Sequence, residues 1–262
     1  MIKLIATDVD GTLFPEGTSN PSPIIINSIK QAINAGIIFA FASGRSYESI
    51  VKAFPMFEDN AVFIANNGAT ITQNRKTIKT YAIEPPLVKE IINYMRSIPG
   101  SNNLITTENH SYSDSKDQEF INWIKNGYKI DLKVINDVML INEPIVKLAM
   151  YDKNTDAADA SIKAIQHFNN QISILGAGDH WVDFIGNDAD KGNAVKFLQQ
   201  KHKITPAETM TFGDNLNDLG LMSCADNSYA VYNGREEVKN AASYVLKKDD
   251  NAVINKIKEL FS

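Results

Sequence analysis

The chain has 262 residues, of which 44% are apolar and 22% charged, and its 26 Lys and Arg against 31 Asp and Glu residues give a net charge of −5. This length suffices for one large domain or two smaller ones, and the absence of a basic stripe argues against nucleic acid as a partner. The single cysteine, Cys224, excludes an internal disulfide and a cysteine-based metal cluster.

Neither a signal peptide nor a membrane span is predicted. Asp8 and Asp10 interrupt the first apolar stretch, which is atypical of a signal peptide. Apolar runs such as Ala35–Ala42 are far shorter than the roughly 18 residues that a membrane-spanning helix needs. We therefore expect a cytoplasmic protein that has no membrane partner.

The chain begins with alternating strands and helices. The apolar runs Ile2–Asp8, Ile37–Ser43 and Ala61–Asn66 predict strands, and helical spacing of apolar residues over Ser22–Gly36 and Ser46–Phe54 predicts the helices between them. Apolar strands separated by helices are typical of a parallel sheet that is covered on both faces.

The pattern changes after a predicted hairpin, whose turn lies near Asn74, and the alternation returns near the C-terminus. The middle of the chain is less regular and predicts a second α/β unit, with helices over Pro86–Ser97 and Asp156–Phe168 and strands over Val146–Asp152, Ile172–Gly178 and His180–Ile185. The last part predicts helices over Asp190–His202, Asn217–Met222 and Asn251–Phe261, with strands over Thr209–Asp214 and Ser228–Tyr232. We therefore predict a doubly wound α/β core with an inserted α/β unit.

Polar clusters stand at the ends of predicted strands or at the start of a helix. They are Asp8–Thr12, Ser43–Arg45, Asp190–Gly192 and Gly213–Asp218. Ligands of a doubly wound sheet bind outside the carboxyl ends of its strands. The topology should therefore bring the clusters to one edge of the sheet, despite their separation in sequence.

This edge predicts a magnesium site for phosphoryl transfer. Crowded carboxylates repel each other unless a cation neutralises them, and hard oxygen ligands without His or Cys select Mg²⁺. Lys191, Ser43 and the backbone N–H groups near Gly44 suit the remaining oxygens of a phosphate. Together with an unprotonated carboxylate, this predicts phosphoryl transfer with Asp8 as the nucleophile.

The four clusters, in this order, resemble the motifs of the haloacid dehalogenase (HAD) superfamily of phosphatases. The sequence DVDGTL starts at Asp8, ASGR contains Ser43, KGNA starts at Lys191 and GDNLND ends at Asp218. The ANNGA stretch at Ala65–Ala69 and the long insertion resemble the Cof-type subgroup with an α/β cap. The resemblance covers the whole chain and implies a HAD-like, Rossmannoid core of residues 1–84 and 187–262, with a cap at 85–186.

The resemblance also implies roles for the acidic residues. Asp8 attacks phosphorus and becomes an aspartyl-phosphate, while Asp10 protonates the leaving alcohol and then deprotonates the water that hydrolyses the intermediate. Mg²⁺ is held by Asp8, the backbone carbonyl of Asp10 and Asp214, and Asp218 orients a metal-bound water.

The same resemblance implies the residues that contact the substrate. Ser43, Gly44 and Lys191 bind the transferring phosphoryl group, and Asn217 helps on its substrate side. Taken singly, each motif has an ordinary structural interpretation, since Asp, Gly and Ser are common in turns and helix caps. Four such coincidences at one edge of a sheet favour the functional interpretation.

The sequence therefore predicts a Mg²⁺-dependent phosphatase that acts on a small phosphorylated metabolite, of the sugar phosphate, FMN or pyridoxal phosphate class, as a monomer or homodimer. One alternative is a phosphomutase of the same superfamily. Another is a phospho-accepting signalling module, which also places acids, Ser or Thr and Lys on a parallel sheet. The second carboxylate two positions after the nucleophile and the large insertion argue against this module.

Two residues outside the motifs have structural interpretations. Cys224 is expected to be a small core residue. Trp181, near the end of the inserted unit, is expected to anchor that unit as a buried side chain, with contact to the leaving group as the less favoured alternative.

Overall fold

The computed structural model describes residues 1–14, 20–128 and 130–261. The chain forms two compact units, Met1–Lys79 with Ala189–Ser262 and, inserted between them in sequence, Thr80–Asp188. Each unit has its own sheet and its own hydrophobic core. None of the helices in the described part of the chain is both long and apolar enough to cross a bilayer.

The first unit begins with the predicted alternation of strands and helices. In chain order its elements are β1 Leu4–Asp8, α1 Pro23–Asn34, β2 Ile38–Ala42, α2 Tyr47–Ala53, β3 Val62–Ala65, β4 Thr70–Gln73 and β5 Lys76–Thr80. Every residue of β1 and β3 is buried, which explains their continuous apolar runs. The predicted hairpin is confirmed as β4 and β5, and Asn74 and Arg75 take φ values of 52° and 60° in its two-residue turn.

The second unit is a six-stranded sheet with helices. Its strands lie in the order β10-β11-β9-β6-β7-β8, and α3 and α5 pack on one face. Its elements are α3 Pro85–Ser97, β6 Asn102–Thr107, β7 Ser111–Ser113, α4 Gln118–Asn122, β8 Leu132–Val134, β9 Ile145–Tyr151, α5 Ala157–Phe168, β10 Ser173–Ala177 and β11 Trp181–Ile185. The predicted helices and the strands β9, β10 and β11 are confirmed, whereas β6, β7, β8 and α4 were not predicted.

Aromatic side chains pack on the other face of this sheet. Val182 lies in the helix-covered core, so its neighbour Trp181 points to the opposite face. The indoles of Trp181 and Trp123 stack with their centroids 6.0 Å apart, and Tyr151 and Phe120 lie 5.1 Å and 6.0 Å from Trp181. Trp181 therefore packs within its own unit, but it is half-buried and not the fully buried side chain that we expected.

The chain then completes the first unit. The remaining elements are α6 Lys191–His202, β12 Thr209–Gly213, α7 Leu219–Ser223, β13 Asn227–Ala230, α8 Glu236–Ala241, β14 Tyr244–Val245 and α9 Ala252–Lys258. The sheet has the order β14-β13-β12-β1-β2-β3-β4-β5, in which the strands from β14 to β3 are parallel and β4 is antiparallel to β3. The predicted α/β class is confirmed, while α8 and β14 were not predicted.

An aromatic stack in the first core supports the loop after β1. Phe14, Phe54, Phe41 and Phe63 follow one another with centroid distances of 5.1, 4.2 and 5.4 Å. The N–H of Phe14 also donates to the carbonyl of Val9 at 2.8 Å. Because Phe14 is fixed by both contacts, the turn between Val9 and Phe14 is held at the end of β1.

Cys224 lies in the core of the first unit, as expected. Its S–H donates to the carbonyl of Leu221 at 3.3 Å. Burial raises the pKa of the Cys224 thiol to about 12, so the reactive thiolate is scarce at neutral pH.

Candidate active site

The side chain of Lys191 joins two carboxylates in the interior of the first unit. Its Nζ donates to Asp8 Oδ1 and to Asp218 Oδ1, each at 2.6 Å. The side chains of Lys191 and Asp218 are fully buried, and that of Asp8 is 8% exposed. The three residues come from the end of β1, the start of α6 and the turn after β12, so the topology brings together residues far apart in sequence.

Close backbone packing lets α6 bring Lys191 to this position. A Cβ atom on Gly192 would lie 2.2 Å from the carbonyl oxygen of Gly220, so the first turn of α6 can approach α7 only with glycine there. A Cβ atom on Gly220 would in turn lie 2.2 Å from Asp190 Oδ1. That Asp190 oxygen caps α6 by accepting from the N–H of Asn193 at 3.0 Å.

The side chain of Asp218 accepts hydrogen bonds from three groups of the protein. Its Oδ1 accepts from Lys191 Nζ. Its Oδ2 accepts from the N–H groups of Asp214 at 3.0 Å and Asn215 at 3.1 Å. Asp214, which directly follows β12, has its Oδ1 hydrogen-bonded by the hydroxyl of Thr12 at 2.5 Å. The motif after β12 and the loop after β1 are therefore linked by side-chain contacts.

The site holds more negative than positive charge. Burial raises the pKa of Asp8 well above its ordinary value, and the Asp218 charge adds to this, while Lys191 opposes it. Burial also raises the pKa of Asp214, against the hydrogen bond from Thr12. Burial lowers the pKa of Lys191, but Asp218 and Asp8 outweigh this effect and raise it, so the ammonium stays charged. One lysine faces three carboxylates.

The residues present fit a divalent cation. Asp8, Asp214 and Asp218 each offer an oxygen, and these oxygens lie within 4.8 Å of one another. Asp8 Oδ2 is buried, and no described residue donates a hydrogen bond to it. An unpartnered buried oxygen beside other carboxylates is unfavourable unless a cation or a proton occupies the space. An all-oxygen donor set favours a hard cation such as Mg²⁺.

Ser43, Gly44 and Asn217 lie beside the turn after β3. Ser43 is buried, and its carbonyl accepts from the N–H of Asn67 at 2.9 Å. Asn217 Nδ2 donates to Asn67 Oδ1 at 2.9 Å. A Cβ on Gly44 would lie 3.1 Å from the same Asn67 oxygen. Asn67 therefore lies next to three of the four predicted substrate-binding residues, which the sequence did not reveal.

Asp10 lies apart from the acidic group. It is not among the three clustered acids, and its carboxylate forms an ion pair with Arg45 instead. Arg45 belongs to the ASGR motif, but its pairing with Asp10 was not predicted. An arginine two positions after Ser43 was the available signal.

The comparisons with known proteins agree with one another. The sequence model of the haloacid dehalogenase-like hydrolases matches residues 5–257. A crystal structure of a protein from Eubacterium rectale is 27% identical, with a TM-score of 0.90 and 99% of each chain covered. The 5-amino-6-(5-phospho-D-ribitylamino)uracil phosphatase YbjI of Escherichia coli is 23% identical over 93% of this chain and 90% of its own length. The phosphatase YwpJ of Bacillus subtilis is 23% identical over 99% of this chain and 100% of its own length.

Proposed function

This chain belongs to the haloacid dehalogenase-like hydrolases, and from that membership we propose that it is a Mg²⁺-dependent phosphatase that forms an aspartyl-phosphate on Asp8. Membership confirms the prediction of a Cof-type HAD enzyme and of its class, phosphoric monoester hydrolase. The metal, the substrate and the role of each residue are proposals.

The two oxygens of Asp8 differ, and this observation carries the proposal. Oδ1 accepts from Lys191 at 2.6 Å, whereas Oδ2 is buried without a hydrogen-bond donor among the described residues. A carboxylate with one oxygen fixed and the other unpartnered is suited to attack, because the fixed oxygen sets the orientation and the other keeps its lone pairs. The positive charge of Lys191 favours the ionised form of Asp8 and so opposes the effect of burial on the Asp8 pKa.

We propose that Asp8, Asp214 and the backbone carbonyl of Asp10 hold the Mg²⁺. When bound, the ion supplies positive charge beside the phosphoryl oxygens and favours the ionised form of Asp8. Asp218, whose oxygens are taken by Lys191 and two backbone amides, is a positioning residue that keeps Lys191 in place.

The reaction has two transfers. In the first, an Asp8 oxygen bonds to phosphorus as the phosphorus–oxygen bond of the ester breaks, and Asp10 gives a proton to the leaving alcohol. In the second, Asp10 takes a proton from water, whose oxygen bonds to phosphorus as the bond to Asp8 breaks and inorganic phosphate forms. The Ser43 hydroxyl, the N–H groups near Gly44 and Lys191 bind the phosphoryl oxygens throughout.

We propose that the substrate is a small phosphate ester, of the sugar phosphate, FMN or pyridoxal phosphate class. The Escherichia coli relative acts, by its name, on a phosphorylated ribitylaminouracil, which is an ester of this size. The inserted unit is proposed to act as the cap that selects among such esters. Asn217 is proposed to contact the substrate.

Phosphate release from a panel of phosphorylated metabolites tests this function. With Mg²⁺ and no bisphosphate activator, the wild type should release inorganic phosphate, and Asp8→Asn should not. Asp226→Asn is a matched control, since Asp226 is an exposed acid of the same unit, and it should keep full activity. Turnover by Asp8→Asn would show that another group attacks phosphorus, and a strict need for a bisphosphate activator would favour a phosphomutase.

A further inference from the structure

The carboxylate of Asp10 is held by Arg45, to which the proposed mechanism gives no task. Arg45 Nε donates to Asp10 Oδ2 at 2.8 Å, and Arg45 Nη2 donates to Asp10 Oδ1 at 2.5 Å. Such a two-point contact fixes both carboxylate oxygens at once. In this arrangement Asp10 is turned toward Arg45 and stands outside the group of Asp8, Asp214 and Asp218.

The main chain of Arg45 belongs to the loop that carries Ser43. Its N–H donates to Ser43 Oγ at 3.1 Å, and its carbonyl accepts from the N–H of Asn66 at 2.9 Å. β1 and β2 are neighbours in parallel register, with Asp8 opposite Ala42. The side chain of Arg45 therefore crosses from the proposed phosphate-binding loop to the loop that holds the proposed acid and base.

We propose that Arg45 exchanges the Asp10 carboxylate for the phosphoryl group of the substrate. Its guanidinium binds Asp10 in the resting enzyme and moves to the phosphoryl oxygens once Ser43 and Gly44 bind them. Asp10 is then free to turn toward the leaving group. This inference rests on the proposed function, since it assigns Arg45 to the same phosphate site. Arg45 is thereby a phosphate ligand and a positioning residue for Asp10.

The exposure of the two ion pairs of this region decides which one can exchange. The Arg45 and Asp10 side chains are 26% and 50% exposed, and pairs in contact with water are weak because solvent screens them. The ion pairs of Lys191 with Asp8 and Asp218 are buried, and breaking them would leave a buried charge without a partner. A planar guanidinium binds phosphate as well as carboxylate, so a doubly charged phosphate can replace a single carboxylate on Arg45.

A double-mutant cycle tests the exchange without relying on turnover. Inorganic phosphate is titrated by calorimetry into Mg²⁺-loaded wild type, Asp10→Asn, Arg45→Ala and the double variant. Asp10→Asn should tighten phosphate binding about three- to tenfold, because the guanidinium is released, and should do much less in the Arg45→Ala background. Arg45→Ala alone should weaken phosphate binding.

Matched variants separate exchange from a simple change of charge. Arg45→Lys keeps the charge without the planar fork and should recover only part of the lost affinity. Arg75 and Asp59 form a similar two-point pair elsewhere in the unit, at 2.5 Å and 3.0 Å, so Arg75→Ala and Asp59→Asn should leave phosphate affinity unchanged. Circular dichroism confirms that each variant is folded.

Two results would overturn the inference. One is an equal effect of Asp10→Asn in both backgrounds, and the other is full recovery of affinity in Arg45→Lys. Either result alongside normal wild-type turnover would contradict the exchange and leave the proposed function standing. A coupled cycle in a protein that hydrolyses no ester would instead contradict the proposed function and support the anion exchange.

Discussion

Replacing Lys191 by methionine should be among the most destabilising changes in the first unit. Methionine keeps much of the volume but removes the charge that faces Asp8 and Asp218 at 2.6 Å. Asp218 would keep its two backbone N–H donors, whereas Asp8 would be left in the interior with no counter-charge.

The expected loss follows from breaking a buried ion pair. Removing one partner of such a pair destabilises a protein by about 3–5 kcal/mol, because the other charge stays buried and unpaired. For a chain of this size, about 2–4 °C of unfolding temperature corresponds to each kcal/mol. The unfolding midpoint in EDTA should therefore fall by about 6–20 °C.

Thermal unfolding followed by circular dichroism measures this shift. Lys196→Met is the matched control, since Lys196 is exposed on the same helix, and it should shift the midpoint by less than about 2 °C. The double variant Lys191→Met with Asp8→Asn should recover a large part of the loss, because it removes one of the stranded charges. A midpoint for Lys191→Met within about 2 °C of wild type would refute the charge argument, as would a double variant no more stable than the single one.

Further predictions concern charge, metal and packing. Asp8→Asn should raise the unfolding midpoint in EDTA. Because the pKa of Asp8 is raised in the folded state, the folded wild type binds more protons than the unfolded chain and loses stability as the pH rises. The gain from Asp8→Asn should therefore grow above about pH 4 and disappear below it, as measured by melts over a pH series. EDTA should abolish phosphate release and Mg²⁺ should restore it, while Ca²⁺, which takes more ligands at longer distances, should restore little; full activity in EDTA would contradict the metal. Gly192→Ala should lower both stability and activity, because its Cβ would lie 2.2 Å from the Gly220 carbonyl oxygen. Gly36 has a φ of 83°, but a Cβ there would have no atom within 4 Å. Gly36→Ala should therefore lower stability by only about 1 kcal/mol.

The sequence predicted the parallel core well because its strands are continuous apolar runs between amphipathic helices. It missed β6, although this strand lies beside β9 inside the second sheet. The segment starts with two asparagines, and its buried polar groups are satisfied by distant partners: Asn103 by Asp114, and Asn102 by the hydroxyl of Ser115. The periodicity of apolar residues cannot predict a strand whose buried side chains are polar and satisfied by hydrogen bonds.

The motifs predicted which residues form the candidate site, but they could not predict which charged side chains form ion pairs there. A lysine at the start of a helix is ordinarily solvated, whereas Lys191 is fully buried at a point where Gly192 packs closely against Gly220. The ion pair of Arg45 with Asp10 was not predicted either, because the loop after β1 contacts the loop after β2 only in the folded sheet. Contacts of this kind depend on tertiary packing, which a single sequence does not display.

The count of charges links the stability of this site to its chemistry. Lys191 neutralises only one of three neighbouring carboxylates, so the remaining negative charges repel one another, and burial increases this unfavourable energy. A phosphate ester would add further negative charge beside Asp8, which a lysine already engaged at 2.6 Å with two acids cannot balance alone. If the site binds Mg²⁺ and phosphate as we propose, each ligand should favour the binding of the other, and this coupling is reciprocal. Under the proposed function, the same surplus of carboxylates that destabilises the fold would make attack by Asp8 depend on both ligands.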